Sequence, residues 1–170
     1  LSILVVSRTA DRLSAMLESI AEATDLPNGE VEVLCSWNGT NVSEQKIVNH
    51  SGYEFLIAQR DAYHFAGNMN QLAKHANGDV LAFLNDDLIL DNGSLDAGLS
   101  CLLKNISTLC VGALLRTPDG KLQHGGMAFD LNNTPYHIAE GLAGITEVIS
   151  ESPPYEVPCV TGAMILVRRS

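Results

Sequence analysis

Apolar residues in this chain come in short unbroken runs, separated by stretches whose apolar positions recur every three to four residues. Runs at 1–6, 31–37, 53–58, 80–84 and 109–115 have the length and continuity of strands buried on both faces. Between them, 10–23 sets Leu13, Met16, Leu17 and Ile20 on one helical face. Further helices are expected at 65–75, with Asn77-Gly78 as its stop, and at 95–103. Strand and helix alternate, which predicts a mostly parallel sheet with helices on both faces. The run at 79–90 is its expected centre. There an apolar strand meets Asn85-Asp86-Asp87 before the chain turns apolar again.

The pattern changes after Arg116. Thr117-Pro118-Asp119-Gly120 is a turn signal, and 121–129 reads as a small antiparallel excursion. Residues 130–158 are rich in Gly, Pro, Asn and Thr without periodicity, and 160–167 is apolar once more. A long irregular segment inside a domain of this size points to function or disorder.

The chain has 170 residues, 46% of them hydrophobic and 18% charged, which is the composition of one globular domain. Its formal net charge of −10 leaves no basic stripe for a nucleic-acid backbone. Cys35, Cys101, Cys110 and Cys159 have no metal-binding spacing and read as free core thiols. Met16, Met127 and Met164 likewise read as core fillers. Reduced thiols and no signal-peptide pattern point to the cytoplasm. Peripheral association with the cytoplasmic face of a membrane would run through regions outside these residues. Six Asn-x-Ser/Thr triplets, at Asn38, Asn41, Asn49, Asn92, Asn105 and Asn132, are then chance occurrences.

Several chemistries drop out. There is no GxxxxGK[ST] loop, no GxGxxG after the first strand, no GxSxG elbow and no HExxH pair. Ser7-Arg8-Thr9 does not supply the Gly-rich, Arg-containing loop of a nucleotidyltransferase. What remains is a set of polar residues at strand ends: Ser7 and Arg8 after the first strand, Asn38 after the second, His64 at a helix entry, and Asn85-Asp86-Asp87 after the fourth. In open α/β sheets ligands bind beyond the carboxyl ends of the strands. Two adjacent carboxylates there call for a compensating divalent cation, which takes one or two carboxylates together with substrate phosphates. A solvated acidic turn is the other reading of the same triplet.

Ordered motifs along the whole chain decide between them. Ser2-Ile-Leu-Val-Val-Ser-Arg8, Phe65-Ala-Gly-Asn-Met-Asn70, Ala76-Asn-Gly-Asp79 and Phe83-Leu-Asn-Asp-Asp87 follow one another. Gly112-Ala-Leu-Leu-Arg-Thr-Pro-Asp-Gly120, Gln123-His-Gly-Gly126 and Val160-Thr-Gly-Ala-Met-Ile-Leu-Val-Arg-Arg169 come after. In order and spacing the chain resembles the family 2 glycosyltransferases of the GT-A fold, inverting enzymes that use nucleotide sugars.

The resemblance implies a single GT-A domain over 1–170, with a nucleotide-sugar-binding half at 1–115 and part of an acceptor-side half at 116–170. It places Asn85-Asp86-Asp87 at the DxD motif, with Asn at the first acidic position. Asp87 would hold a divalent cation, Mn²⁺ or Mg²⁺, and Asp86 would meet the ribose or an outer-shell water. Val6, Ser7, Arg8, Asn38, His64 and Asn85 complete the expected donor site for a UDP-, dTDP- or GDP-sugar. Asn38 stands where the family usually has an Asp that accepts from the base. Asn70 matches a recurrent structural Asn. His124 is a second expected metal ligand or an organiser of its turn, and His137 a weaker candidate.

The implied reaction is inverting transfer to a hydroxyl of a glycan or lipid-linked glycan, as in polysaccharide biosynthesis. The family's general base follows the Val-Thr-Gly-Ala…Arg-Arg segment, so it is expected beyond Ser170, while Glu151 and Glu156 precede that segment. A donor-binding or scaffold module that keeps the fold without catalysis is the alternative.

Overall fold

A computed structural model describes residues 1–150 and 152–169; Glu151 and Ser170 lie outside the described residues. Ten strands occur among them: β1 (Ser2–Ser7), β2 (Glu32–Trp37), β3 (Glu54–Gln59), β4 (Val80–Asn85), β5 (Cys110–Gly112), β6 (Leu115–Arg116), β7 (Leu122–His124), β8 (Met127–Phe129), β9 (Pro135–His137) and β10 (Met164–Arg168). The helices are α1 (Ala10–Ala23), α2 (Asn41–Glu44), α3 (Phe65–His75), α4 (Ser94–Lys104) and α5 (Ile145–Ser150). No helix of the described residues is long and apolar enough to cross a membrane.

Six strands form the main sheet, in the order β3-β2-β1-β4-β10-β5. β1, β2, β3 and β4 are mutually parallel, and β10 runs antiparallel to both β4 and β5. Every residue of β1 is buried, as its unbroken apolar run requires. On one face Leu13, Met16, Leu17 and Ile20 of α1 pack with Leu95 and Leu102 of α4 over Ile3, Val5, Val33 and Ala82. On the other face Met69 and Leu72 of α3 cover Leu4, Val6, Leu34 and Leu81. Helices therefore flank both faces of the mostly parallel sheet, as the pattern predicts. The bounds of α1 and α3 coincide with the expected 10–23 and 65–75.

The structure corrects four expectations. The run at 109–115 is not one strand: β5 joins the main sheet, while β6 pairs with β7 in a separate ribbon. Continuous apolarity cannot register such a change of partner. β5 is also an edge strand, so Cys110 is exposed and not a core thiol, while Cys35 is buried. The excursion after Arg116 is two ribbons, β6–β7 and β8–β9, and the second takes its return strand from the stretch read as irregular. Finally, α3 has no left-handed glycine stop, since its C-cap Ala76 is extended. Gly78 has another role: a Cβ there would lie 2.8 Å from the Ser2 backbone nitrogen.

β10 was unreadable as a pairing. It inserts between β4 and β5, placing Met164 opposite Leu84 and Val167 opposite Leu81. The last strand of the chain thus completes the sheet built by the first half.

Candidate functional site

From β1 the chain steps outward through β2 and β3, then returns to lay β4 on the other side of β1. This is a topological switch point, the place where an open α/β sheet leaves a crevice beyond its strand ends. A cavity of about 280 Å³ opens there, lined by Val6, Ser7, Arg8, Thr9 and Arg12 on the β1–α1 side. Asn85, Asp86 and Asp87 line it from the end of β4, and Tyr63 and Phe65 from the approach to α3.

The two carboxylates differ in their surroundings. Ser7, buried at the last position of β1, donates its hydroxyl to Asp86 Oδ2 at 2.7 Å and accepts the Thr9 N–H at 3.3 Å. One strand end therefore fixes the other, and Asp86 is half-buried. Asp87 is exposed and turned to the cavity. Beneath them Cys35 is fully buried, and burial first, with the Asp86 charge second, pushes its thiol up to about 12. That thiol is inert packing.

The residues expected to converge do so in part. Val6, Ser7, Arg8, Asn85, Asp86 and Asp87 line one cavity, whereas Asn38, His64 and His124 are not among its lining residues. Asn38 abuts it: its backbone N–H donates to the Ser7 carbonyl at 2.7 Å. The Asn38 amide nitrogen donates to the Asp61 carbonyl, leaving Oδ1 buried without a partner among the described residues. His64 is the N-cap of α3, and its Nδ1 accepts the Gly67 N–H at 3.0 Å. Its neighbours Tyr63 and Phe65 face the cavity instead. Asn70 is exposed on α3, and the buried structural Asn is Asn68, whose Oδ1 accepts the His64 N–H at 2.6 Å.

His124 lies in β7, 1% exposed. Its Nε2 accepts the Thr161 N–H at 3.2 Å, so the ring proton sits on Nδ1, which donates to His137 Nδ1 at 2.9 Å. The rings meet edge to face with centroids 5.0 Å apart. Burial, then the neighbouring His137, lowers the pKa of His124 and keeps it neutral. With both nitrogens engaged, this ring has no lone pair for a cation, and of its two expected roles it fills that of organiser.

The donor set for a cation is oxygen only. Asp87 contributes a carboxylate and Asn85 a carbonyl beside it, which suits a hard divalent ion completed by phosphate oxygens and water. Among the described residues no group of three or more His, Cys, Asp or Glu side chains stands ready to hold a metal alone. The site fits an ion that arrives with a phosphorylated ligand.

Four lining residues escaped the sequence reading: Thr9, Arg12, Tyr63 and Phe65. Arg12 is four residues beyond Arg8, and the two aromatics bracket His64, so adjacency to singled-out residues was the available signal.

Comparison with known proteins places the chain. The model of glycosyl transferase family 2 matches residues 2–170. No curated protein matches. Among solved structures, the mannosyltransferase PcManGT of Pyrobaculum calidifontis, in complex with GDP-Man and Mn²⁺, superposes with a TM-score of 0.67 at 15% identity. The match covers 99% of this chain and 44% of that one, so the chain spans under half the length of this neighbour. TarS 1–349 of S. aureus gives 0.54 at 16% identity, covering 71% and 36% of the two chains. Its complex with UDP gives 0.51 at 16%, covering 78% and 42%.

Proposed function

The chain belongs to glycosyl transferase family 2, and from that premise we propose that it binds a nucleotide diphosphate sugar and transfers the sugar to a hydroxyl acceptor. The carrying observation is the switch-point cavity, where Ser7 holds Asp86 while Asp87 stays free a residue away. GDP-Man with Mn²⁺ in PcManGT, and UDP in TarS, support a donor of this class.

In this reading Asp86, held in place by Ser7, receives the ribose hydroxyls. Asn38 Oδ1, its amide oriented by Asp61, would accept from the base. Asp87, with Asn85 beside it, would hold a divalent cation, which when bound would stabilise charge on the departing diphosphate. Tyr63 and Phe65 give the cavity an aromatic wall that orients a ring and excludes water. Transfer is expected with inversion, to a glycan or lipid-linked glycan. Inversion needs a base on the far side of the sugar from the leaving group. Both cavity carboxylates serve the donor, so neither is assigned that proton.

One observation favours a second reading, a donor-binding module without transfer: the first acidic position of the motif is the neutral Asn85. The test is a thermal-shift panel of UDP-, GDP- and dTDP-sugars with Mn²⁺ or Mg²⁺, paired with an assay of free nucleotide release. A cation-enhanced shift with one nucleotide class and measurable release supports the transferase. A shift without release supports the module. No shift with any donor overturns the donor site.

A further inference from the structure

We propose that Arg8 and Arg12 form a two-arginine anchor for the donor diphosphate, so that a large share of donor binding persists without a divalent cation. This rests on the donor-site reading above and assigns residues within it.

The chain has six arginines. Four are engaged by the protein itself. Arg60 pairs with Glu44, and Arg116 with Asp91. Arg168 donates to the Leu102 and Asn105 carbonyls, and Arg169 to the Ala76 carbonyl. Arg8 and Arg12 are the two that remain, exposed, and both line the same cavity as Asp86 and Asp87. In a chain of net charge −10, these are the two guanidinium groups among the described residues that neither a carboxylate nor a backbone carbonyl of the protein engages. Finding both at one crevice identifies a place built for an anion.

Local structure sharpens this. Arg12 is the third residue of α1, one turn from Arg8, with the N-cap Thr9 between them. The Thr9 side chain makes no capping hydrogen bond, and its backbone N–H goes to Ser7 Oγ. The positive end of a 14-residue helix therefore adds to the two side chains, with Thr9 itself on the cavity wall. Asp11, the acidic residue of that turn, is not among the lining residues.

The carboxylate side explains why such an anchor is needed. Asn85 removes one negative charge from the motif, and Ser7 holds Asp86, which leaves Asp87 as the free carboxylate facing the cavity. One carboxylate makes a weak cation site unless the ligand's phosphates complete it. Two planar guanidinium forks donate paired hydrogen bonds to phosphate oxygens and stay charged at any working pH. The ion and the arginines thus share one anion.

The experiment is calorimetric titration of the 170-residue chain with inorganic pyrophosphate, UDP and GDP, each in EDTA and in Mn²⁺. The variants are Arg12→Gln, Arg12→Lys and the Arg8→Ala/Arg12→Ala pair. Both arginines are exposed, so the melting temperature should hold and serves as the folding control. The wild type should bind pyrophosphate and one nucleotide in EDTA. The double variant should lose at least tenfold in EDTA and less in Mn²⁺, with Arg12→Lys between Arg12→Gln and wild type. Binding that needs Mn²⁺ in the wild type, or is unchanged in the double variant, overturns the anchor while the donor site stands. Failure of UDP, GDP and a dTDP control alike to bind in Mn²⁺ overturns the donor site and the anchor with it.

Discussion

The sheet and the ribbon region between β5 and β10 are held together by different means. In the sheet, strand ends are positioned by backbone ladders and two apolar layers, and Ser7 and Asp86 meet because β1 and β4 are direct neighbours. Between β5 and β10, Leu122 is the one buried large apolar side chain among the described residues. That region is held by two short antiparallel ladders with no second apolar layer, and by side-chain bonds to backbone: the Thr161 N–H to His124 Nε2, and Tyr155 Oη to the Gly125 carbonyl. A site on the first region is pre-organised by the fold. The second is cheaper to rearrange.

Three substitutions break or sharpen that contrast. Leu84→Ala, in the centre of β4 with its side chain fully buried, should cost about 3 kcal/mol and lower the melting of the whole molecule in a denaturant titration. His124→Gln should cost about 2 kcal/mol, because it removes the Nδ1–H bond and the ring contact to His137 and repacks a buried site. Hydrogen exchange should show the loss in β7, β9 and the Thr161 loop while β1 and β4 keep their protection. A uniform loss across both regions would show that they are one cooperative unit. His124 also sets a pH dependence. Its folded-state pKa lies below the ordinary value near about 6.5, so its contribution is complete above that value and falls as pH drops through the folded pKa. Melting of the wild type should decline below about pH 6.5, and His124→Gln should flatten that slope.

The smallest effect is at Gly39. A Cβ there would press on the Trp37 ring and come within 2.7 Å of the Arg8 carbonyl. Gly39→Ala should cost about 1.5 kcal/mol and, by moving the Arg8 backbone, weaken pyrophosphate binding in EDTA. Unchanged binding would mean that Arg8 adapts to the shift.

What was legible follows the same division. Local period and end signals gave α1 and α3 their bounds, and the apolar run into Asn85-Asp86-Asp87 gave β4 and its polar end. The antiparallel insertion of β10 was hidden, because pairing partners far apart in sequence leave no local trace. Arg12 was hidden because an exposed helical arginine carries no pattern of its own, and Tyr63 and Phe65 because one loop turns them inward while His64 caps the helix. The His124–His137 contact links two ribbons where the sequence showed a single antiparallel excursion. Motif order pointed to strand-end residues that line the switch-point cavity. The side chains that shape it required coordinates.

In the proposed function Asp87 would hold a cation only together with a diphosphate in the switch-point cavity. Calorimetric titration of Mn²⁺ into the chain saturated with its preferred nucleotide diphosphate, for wild type and Asp87→Asn, tests it directly. The account predicts that Asp87→Asn weakens Mn²⁺ binding by at least about tenfold, a loss of about 1.4 kcal/mol, while nucleotide binding in EDTA is retained. Equal Mn²⁺ affinity in the two proteins would contradict it.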